Sequence, residues 1–426
     1  MSSLLARTRD RLLPIVLSQA IGLLCGLIGV RLVSHWIPPA TLGSYGVFLT
    51  FTTLGLWVVH AGLIKFITRH WASSTDQAAL LRTCVHSWTK KLLWLAPAAL
   101  AAACIIEREN PLNTSALSVT LFLSSALIAL GVIAQSALQA ARRYWTDLTV
   151  SATGSLTRTF LPPLLFLAFD NALGLYLGFC LHALLFALTA LWMVRGSIHP
   201  ATASSTAPAI TPIYDGAFFA ILSLTGWMLM GINRWIVAGF FGETTAGFFT
   251  LAGNLAQIAP AMLGAVFMQY FQPGLFASPH TTVSERRALA RRVDLTALAY
   301  TVLALAGVAA VHVLTPWLIG PLIDERYRPA LGYIAGAGCF GAAVIIGQFF
   351  HTLLLAAHRE RACGPVDLIA AAILILGGLA SALLGGEPWF LRWLMLTPLL
   401  PWLLNRPLAH RHLFRASPEI ADHQRS

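Results

Sequence analysis

Charge is what this sequence has least of. Only 11% of its 426 residues are Asp, Glu, Lys or Arg, against about 25% in a soluble domain. With 57% hydrophobic residues, no water-soluble fold of this length can hide the apolar surface, and the bilayer becomes the expected solvent. Catalytic signatures are missing too. There is no Walker loop, no dinucleotide fingerprint, no H-E-x-x-H and no recognisable Ser/His/Asp set. That argues against an enzyme and against bound ATP, and no cofactor or metal is implied. Energy for any vectorial process is left to substrate asymmetry or an ion gradient. The six cysteines are scattered, with no C-x-x-C and no His at metal spacing. They read as small soft hydrophobes.

What is present is a series of apolar runs. Twelve can be read, at roughly 12–33, 42–64, 91–106, 116–140, 148–169, 173–194, 216–239, 246–271, 294–320, 330–356, 366–384 and 389–405. Most have the length of about 20 residues that crosses the hydrocarbon as a helix, whereas barrel strands need only about 10 and alternate in polarity. The first run follows Arg7, Arg9 and Arg11. It is too long for a secretory signal and lacks a small-x-small cleavage site, so it reads as a retained helix.

The net charge of +11 invites a nucleic-acid reading, and its distribution argues against one. Alternate connections carry nearly all the Lys and Arg, among them Lys65, Arg69, Lys90, Lys91, Arg142, Arg143, Arg286, Arg287, Arg291 and Arg292. The opposite connections hold only Arg108, Arg326 and Arg328. This is the positive-inside pattern, and it places both termini in the cytoplasm. Attraction to anionic membrane lipids follows as a secondary consequence.

The uncharged stretch "GSIHPATASSTAPAITP" at 196–212 reads as a flexible cytoplasmic linker. It divides the chain into an N-terminal six-helix lobe at 1–195, a C-terminal lobe at 213–405 and a cytoplasmic tail at 406–426. The halves repeat. In "RLVSHWIPPATLGSYGVF" and "RWIVAGFFGETTAGFF", Arg31 falls opposite Arg234 and Gly43 opposite Gly247, with a gap of one residue. Both copies run outward from the cytoplasm, so the repeat is parallel, with its axis along the membrane normal. Two such lobes can rock about a central cavity.

Three segments carry a family likeness: "RLVSHWIPPATLGSYGVF", "GLIKFITRHWA" at 62–72 and "NRWIVAGFFGETTAGFF". Over roughly residues 10 to 260 the chain resembles the Wzx-type oligosaccharide and polysaccharide flippases. These form the polysaccharide transporter branch of the multidrug/oligosaccharidyl-lipid/polysaccharide (MOP) exporter superfamily. The resemblance implies an all-α polytopic membrane protein of MATE-like fold in the bacterial inner membrane. It also implies translocation of an isoprenoid-pyrophosphate oligosaccharide for O-antigen or exopolysaccharide synthesis, with polysaccharide polymerase and chain-length machinery as partners. The chain departs from the family at Asn233, where an acidic residue is common, and at Phe248, where tyrosine is common.

Ionisable residues inside membrane runs are the site candidates, since arginine at a helix centre costs at least about 2.5–3.5 kcal/mol. Arg158 lies mid-run in "SLTRTFLPPLLF", four residues before Pro162 and Pro163. Arg31 and Arg234 lie near the outer ends of their runs. With no acidic residue in the interiors of runs one, two, four, five and seven, these three would form a cationic cavity. Guanidinium forks suit phosphate oxygens. Gln135 and Gln139, Asn254 and Gln257, and Gln348 and His351 recur at helical spacing and suit sugar hydroxyls. They equally serve as glue between membrane helices. The alternatives are a cation-coupled multidrug exporter of the MATE type, which needs a buried carboxylate, and a membrane polysaccharide polymerase or ligase, which needs a large extracytoplasmic loop.

Overall fold

A computed structural model describes residues 2–71, 74, 76–106, 111–196, 198, 217–276, 282–357 and 359–414. The expected linker therefore lies almost wholly outside the described residues. Among the described residues the twelve apolar runs fall mainly on helix. The elements are α1 (Ser2–Trp36), α2 (Pro39–Val59), a π turn at His60–Ile64, α3 (Lys65–His70), α4 (Gln77–Ile106), α5 (Pro111–Ala140), α6 (Tyr144–Phe169) and α7 (Ala172–Arg195). Then come α8 (Ala217–Phe241), α9 (Glu243–Ala256), α10 (Ile258–Phe276), α11 (Val283–Leu318), α12 (Ile334–Ala356), α13 (Glu360–Leu396), a second π turn and α14 (Arg406–Phe414). In hydrocarbon every backbone N–H and C=O must find its partner within the segment, and the helix does this for each run. Seven of these helices are long and apolar enough to cross a membrane, or eight if α9 and α10, broken at Gln257, form one span.

The helices end where the sequence removes a donor or frees the backbone. Pro38 and Pro39 separate α1 from α2. Asp170 closes α6 in the left-handed region (φ 51°), and the Asn171 side chain caps α7 by accepting from the Gly174 N–H at 3.2 Å. The last two apolar runs share α13, which folds back on itself at Gly386 (φ 64°). Trp393 Nε1 donates to the Leu374 carbonyl at 3.3 Å. An unbroken helix would hold residues so spaced about 28 Å apart.

Two compact units result. One comprises residues 1–255 with a strap from the second half of the chain, Trp317–Ala330; the other comprises 256–316 and 331–426. In the first, α6, α7 and α5 pack side by side, α1 lies on α6, α4 on α5, and α2 on both α5 and α8. Its core gathers Leu63, Phe66, Trp71, Leu80, Ile133, Val150 and Phe186. In the second, α12 packs on α10 and α13, and Tyr300 donates to the Pro260 carbonyl at 3.0 Å within a cluster of Phe349, Phe350 and Leu353. Outer faces are apolar: Trp94 and Trp317 are 81% exposed and Leu384 88%. Such surface in water would be a severe liability, and in a bilayer it is the ordinary exterior.

The repeat appears as a crossing between α2 and α9. A Cβ on Gly43 would stand 2.0 Å from the Glu243 carbonyl oxygen, and one on Gly247 would stand 1.9 Å from that of Pro39. Pro39 and Glu243 hold the same place in the repeat, four residues before their glycines. Each copy thus presses its glycine against the other's first turn, as a two-fold arrangement requires. Only glycine lets the backbones approach this closely.

A candidate functional site beside the arginine of α6

Arg158 stands midway along α6, above Pro162 and Pro163. Its side chain is exposed. Its charge acts on Tyr45 of α2, His182 of α7 and Arg234 of α8. Arg158 is thus within electrostatic range of groups on three neighbouring helices. Arg234 arrives from the stripe of α8 that packs on α2, the same stripe where Trp227 Nε1 donates to the Thr50 carbonyl at 2.6 Å. Arg234 is half-buried. Neither arginine has a hydrogen-bond or ion-pair partner among the described residues. Thr157 and His182 brace this point, with Thr157 Oγ1 and His182 Nδ1 2.8 Å apart and His182 only 5% exposed. Two neighbouring guanidiniums without a counter-ion repel one another, so the arrangement favours an anion between or beside them.

A cavity of about 700 Å³ opens in the same unit, lined by Trp235, the chain neighbour of Arg234, and by neither arginine itself, and its size is within the usual range for small-molecule sites. Its walls come from the first turns of α2, the ends of α4 and α8, and the start of α7 and α9. The polar lining is Thr41, Ser44, Tyr176, Trp235 and Glu243, set among Ala40, Val47 and Ile105. The buried indole N–H of Trp235 has no hydrogen-bond partner. Tyr176 stacks on Phe48 with ring centroids 4.6 Å apart, and Phe48 on Tyr45 at 5.9 Å. Tyr45 in turn lies within reach of Arg158. This aromatic layer links the cavity wall to the arginines.

The remaining candidates lie elsewhere. Arg31 donates through Nη1 to the Gly320 carbonyl of the strap at 2.8 Å. Gln135 and Gln139 both direct their amides to Asp147: Gln135 donates at 2.8 Å, and also to Ser151 Oγ at 2.9 Å, while Gln139 reaches both carboxylate oxygens at 3.3 Å. Asn254 is exposed on α9, and Gln257 packs against Gly341 in the second unit. Gln348 is half-buried on α12, one turn before His351. His351 Nδ1 meets Asp367 Oδ2 at 2.8 Å, with both side chains below 20% exposure. Among the nine candidates, only Arg158 and Arg234 are drawn together from distant points of the chain. Sequence reasoning missed Tyr176, Trp235 and Glu243. Trp235 and Glu243 lie inside the repeated motif, and that position was the available signal. Among the described residues no cluster of His, Cys, Asp or Glu could hold a metal ion.

An all-helical polytopic architecture of this kind is a MATE-like fold, and solved structures of MOP superfamily transporters share it. An inward-facing multidrug resistance MATE family transporter of that superfamily aligns with TM-score 0.63 and 14% identity, covering 94% of this chain and 96% of the other. Lipid II flippase MurJ, in an inward closed conformation, aligns with TM-score 0.62 and 12% identity over 93% and 86%. A MOP superfamily transporter from Pyrococcus furiosus, noted for the reverse polarity of its binding pocket, aligns at 0.56 and 12% over 94% of each chain. At such identities the likeness defines the fold. No protein-family model matches the chain, and no curated protein matches it.

Proposed function

We propose that this protein moves a lipid-linked oligosaccharide, joined to its isoprenoid by a pyrophosphate, from the cytoplasmic to the outer leaflet of a bacterial inner membrane. Surface polysaccharide synthesis, of O-antigen or exopolysaccharide, would consume the product. The observation that carries this reading is the pair Arg158 and Arg234, uncompensated and within each other's field. A diphosphate supplies the missing negative charge, and the guanidinium fork matches its oxygens. The cavity of the same unit, with its hydroxyls and an indole N–H, suits sugar, while the isoprenoid tail stays in the bilayer. Dragging such a head through bare hydrocarbon would leave every polar group unsatisfied, and the protein lowers that cost. The positive-inside pattern supports cytoplasmic termini, and the parallel repeat supports alternating access by lobes at 1–195 and 213–405. Chemistry on the substrate has no place in this reading.

The test is translocation of a polyprenyl-pyrophosphate oligosaccharide in liposomes holding the purified protein. Arg158→Gln and Arg234→Gln should each abolish most transport while the protein stays monodisperse. Undiminished transport in both would sink the proposal. A second reading, export of a cationic drug, draws on Glu243 and Trp235, since a carboxylate and an aromatic face suit a cation. Loss of cation export in Glu243→Gln, with lipid transport absent from the wild type, would favour it.

A further inference from the structure

The hairpin between α1 and α2 has a defect written into its sequence. A helix carbonyl normally accepts from the N–H four residues on. For Ser34 and His35 those positions are Pro38 and Pro39, which carry no N–H. Both carbonyls are supplied from a distant part of the chain. Arg326 donates through Nε and Nη2 to the Ser34 oxygen at 3.0 and 2.7 Å, and Nη2 also reaches the oxygen of His35. Tyr327, fully buried, donates to the Ile37 carbonyl at 2.9 Å and meets Phe248 of α9 edge to face. Around them the Asp324 N–H donates to Ser34 Oγ at 3.3 Å, Asp324 Oδ2 faces His35 Nδ1 at 3.3 Å, and Arg31 holds the Gly320 carbonyl. Residues from Gly320 to Tyr327 thus cap the end of α1.

The same hairpin builds the cavity wall. Thr41, Gly43 and Ser44 line the cavity, four to ten residues along the chain from the carbonyls that Arg326 and Tyr327 hold. We propose that the strap Trp317–Ala330 is a latch: docked through Arg326 and Tyr327, it fixes the α1–α2 hairpin and restricts access to the cavity, and its release opens that access. The latch does not depend on what the cavity carries. Pro38 and Pro39 make it reversible, because they deny the carbonyls any local donor and so leave them open to a removable one.

The test measures how fast a membrane-impermeant maleimide labels Ser44→Cys in a full-length chain freed of its native cysteines. Arg326→Gln removes the fork, and Tyr327→Phe removes only the second hydrogen bond. Labelling should quicken about tenfold in the first, the scale of one charge-assisted bond, and by a smaller factor in the second. Ser34→Cys and Leu322→Cys, at a point where Ser34 Oγ and the Leu322 carbonyl stand 3.5 Å apart, can be joined by oxidation. That cross-link should return the Arg326→Gln rate to the wild-type value, and reduction should release it again. Should Arg326→Gln fail to fold, Tyr327→Phe with the same cross-link carries the test. Labelling unchanged by these substitutions, or raised and unmoved by the cross-link, overturns the latch.

Discussion

Arg31 and Arg234 hold the same place in the two halves of the repeat and meet opposite fates. Arg31 sits at the end of α1 and is tied at 2.8 Å to the Gly320 carbonyl. Arg234, its counterpart on α8, has no bonded partner among the described residues and lies within the field of Arg158. The difference comes from what reaches each one. The strap folds onto α1, while Arg234 lies on the helix α8 that packs against α2. The repeat places two arginines at equivalent positions. What packs around them leaves one tied to a backbone carbonyl and the other, among the described residues, an unpaired positive charge, to which an anion is the natural complement.

The comparison breaks most violently if the crossing that relates the halves is spoiled. In Gly247→Val the added atoms would meet the Pro39 carbonyl, which is backbone and cannot turn aside. A loss of about 3 kcal/mol, the upper end for overpacking, is expected as a lower melting temperature. Gly239→Ala, with nothing within 4 Å of its Cβ position, should be nearly silent. Next in size is Arg234→Gln. Pyrophosphate affinity, measured by titration calorimetry on detergent-solubilised protein, should fall between tenfold and a hundredfold, the equivalent of about 1.5–3 kcal/mol. The same variant should melt no lower than the wild type, because it removes an uncompensated charge. Arg31→Gln should do the reverse, lowering stability by about 1 kcal/mol and leaving pyrophosphate affinity within about twofold. Equal loss of affinity in the two variants would erase the distinction.

The smallest effect lies in the strap. The Arg326 N–H and, less strongly, His35 hold the Asp324 carboxyl below the usual carboxylate range. A carboxyl lowered on folding stabilises the native state above its unfolded pKa of about 4 and ceases to do so as pH falls through the lower folded value. The contribution of Asp324 is therefore complete at neutral pH and fades only below about pH 4. Asp324→Asn should flatten that acid limb. The change should stay under about 1 kcal/mol, because the pair is largely solvated. An identical acid profile in the variant would remove Asp324 from the latch.

Much of this architecture was legible in the residues. Among the described residues the twelve apolar runs fall mainly on helices, because run length is a local property that the bilayer reads directly. The paired glycines Gly43 and Gly247 marked the repeat before any contact was visible. Other features were not legible. Gln135 and Gln139 share a helix face, and their spacing suits a sugar as well as it suits Asp147, whose approach depends on how α6 turns back after Arg142. Arg326 read only as one of a few charges on the sparsely charged side. Its role rests on two carbonyls almost three hundred residues away.

By itself the sequence determined what the helices are made of, where they stop and how the halves correspond, since periodicity, proline and glycine act within a few residues of themselves. Tertiary structure alone decided which arginines are satisfied and which remain open. A charge within a helical bundle is defined by the groups that surround it, and here those groups arrive from α2, α7 and the strap.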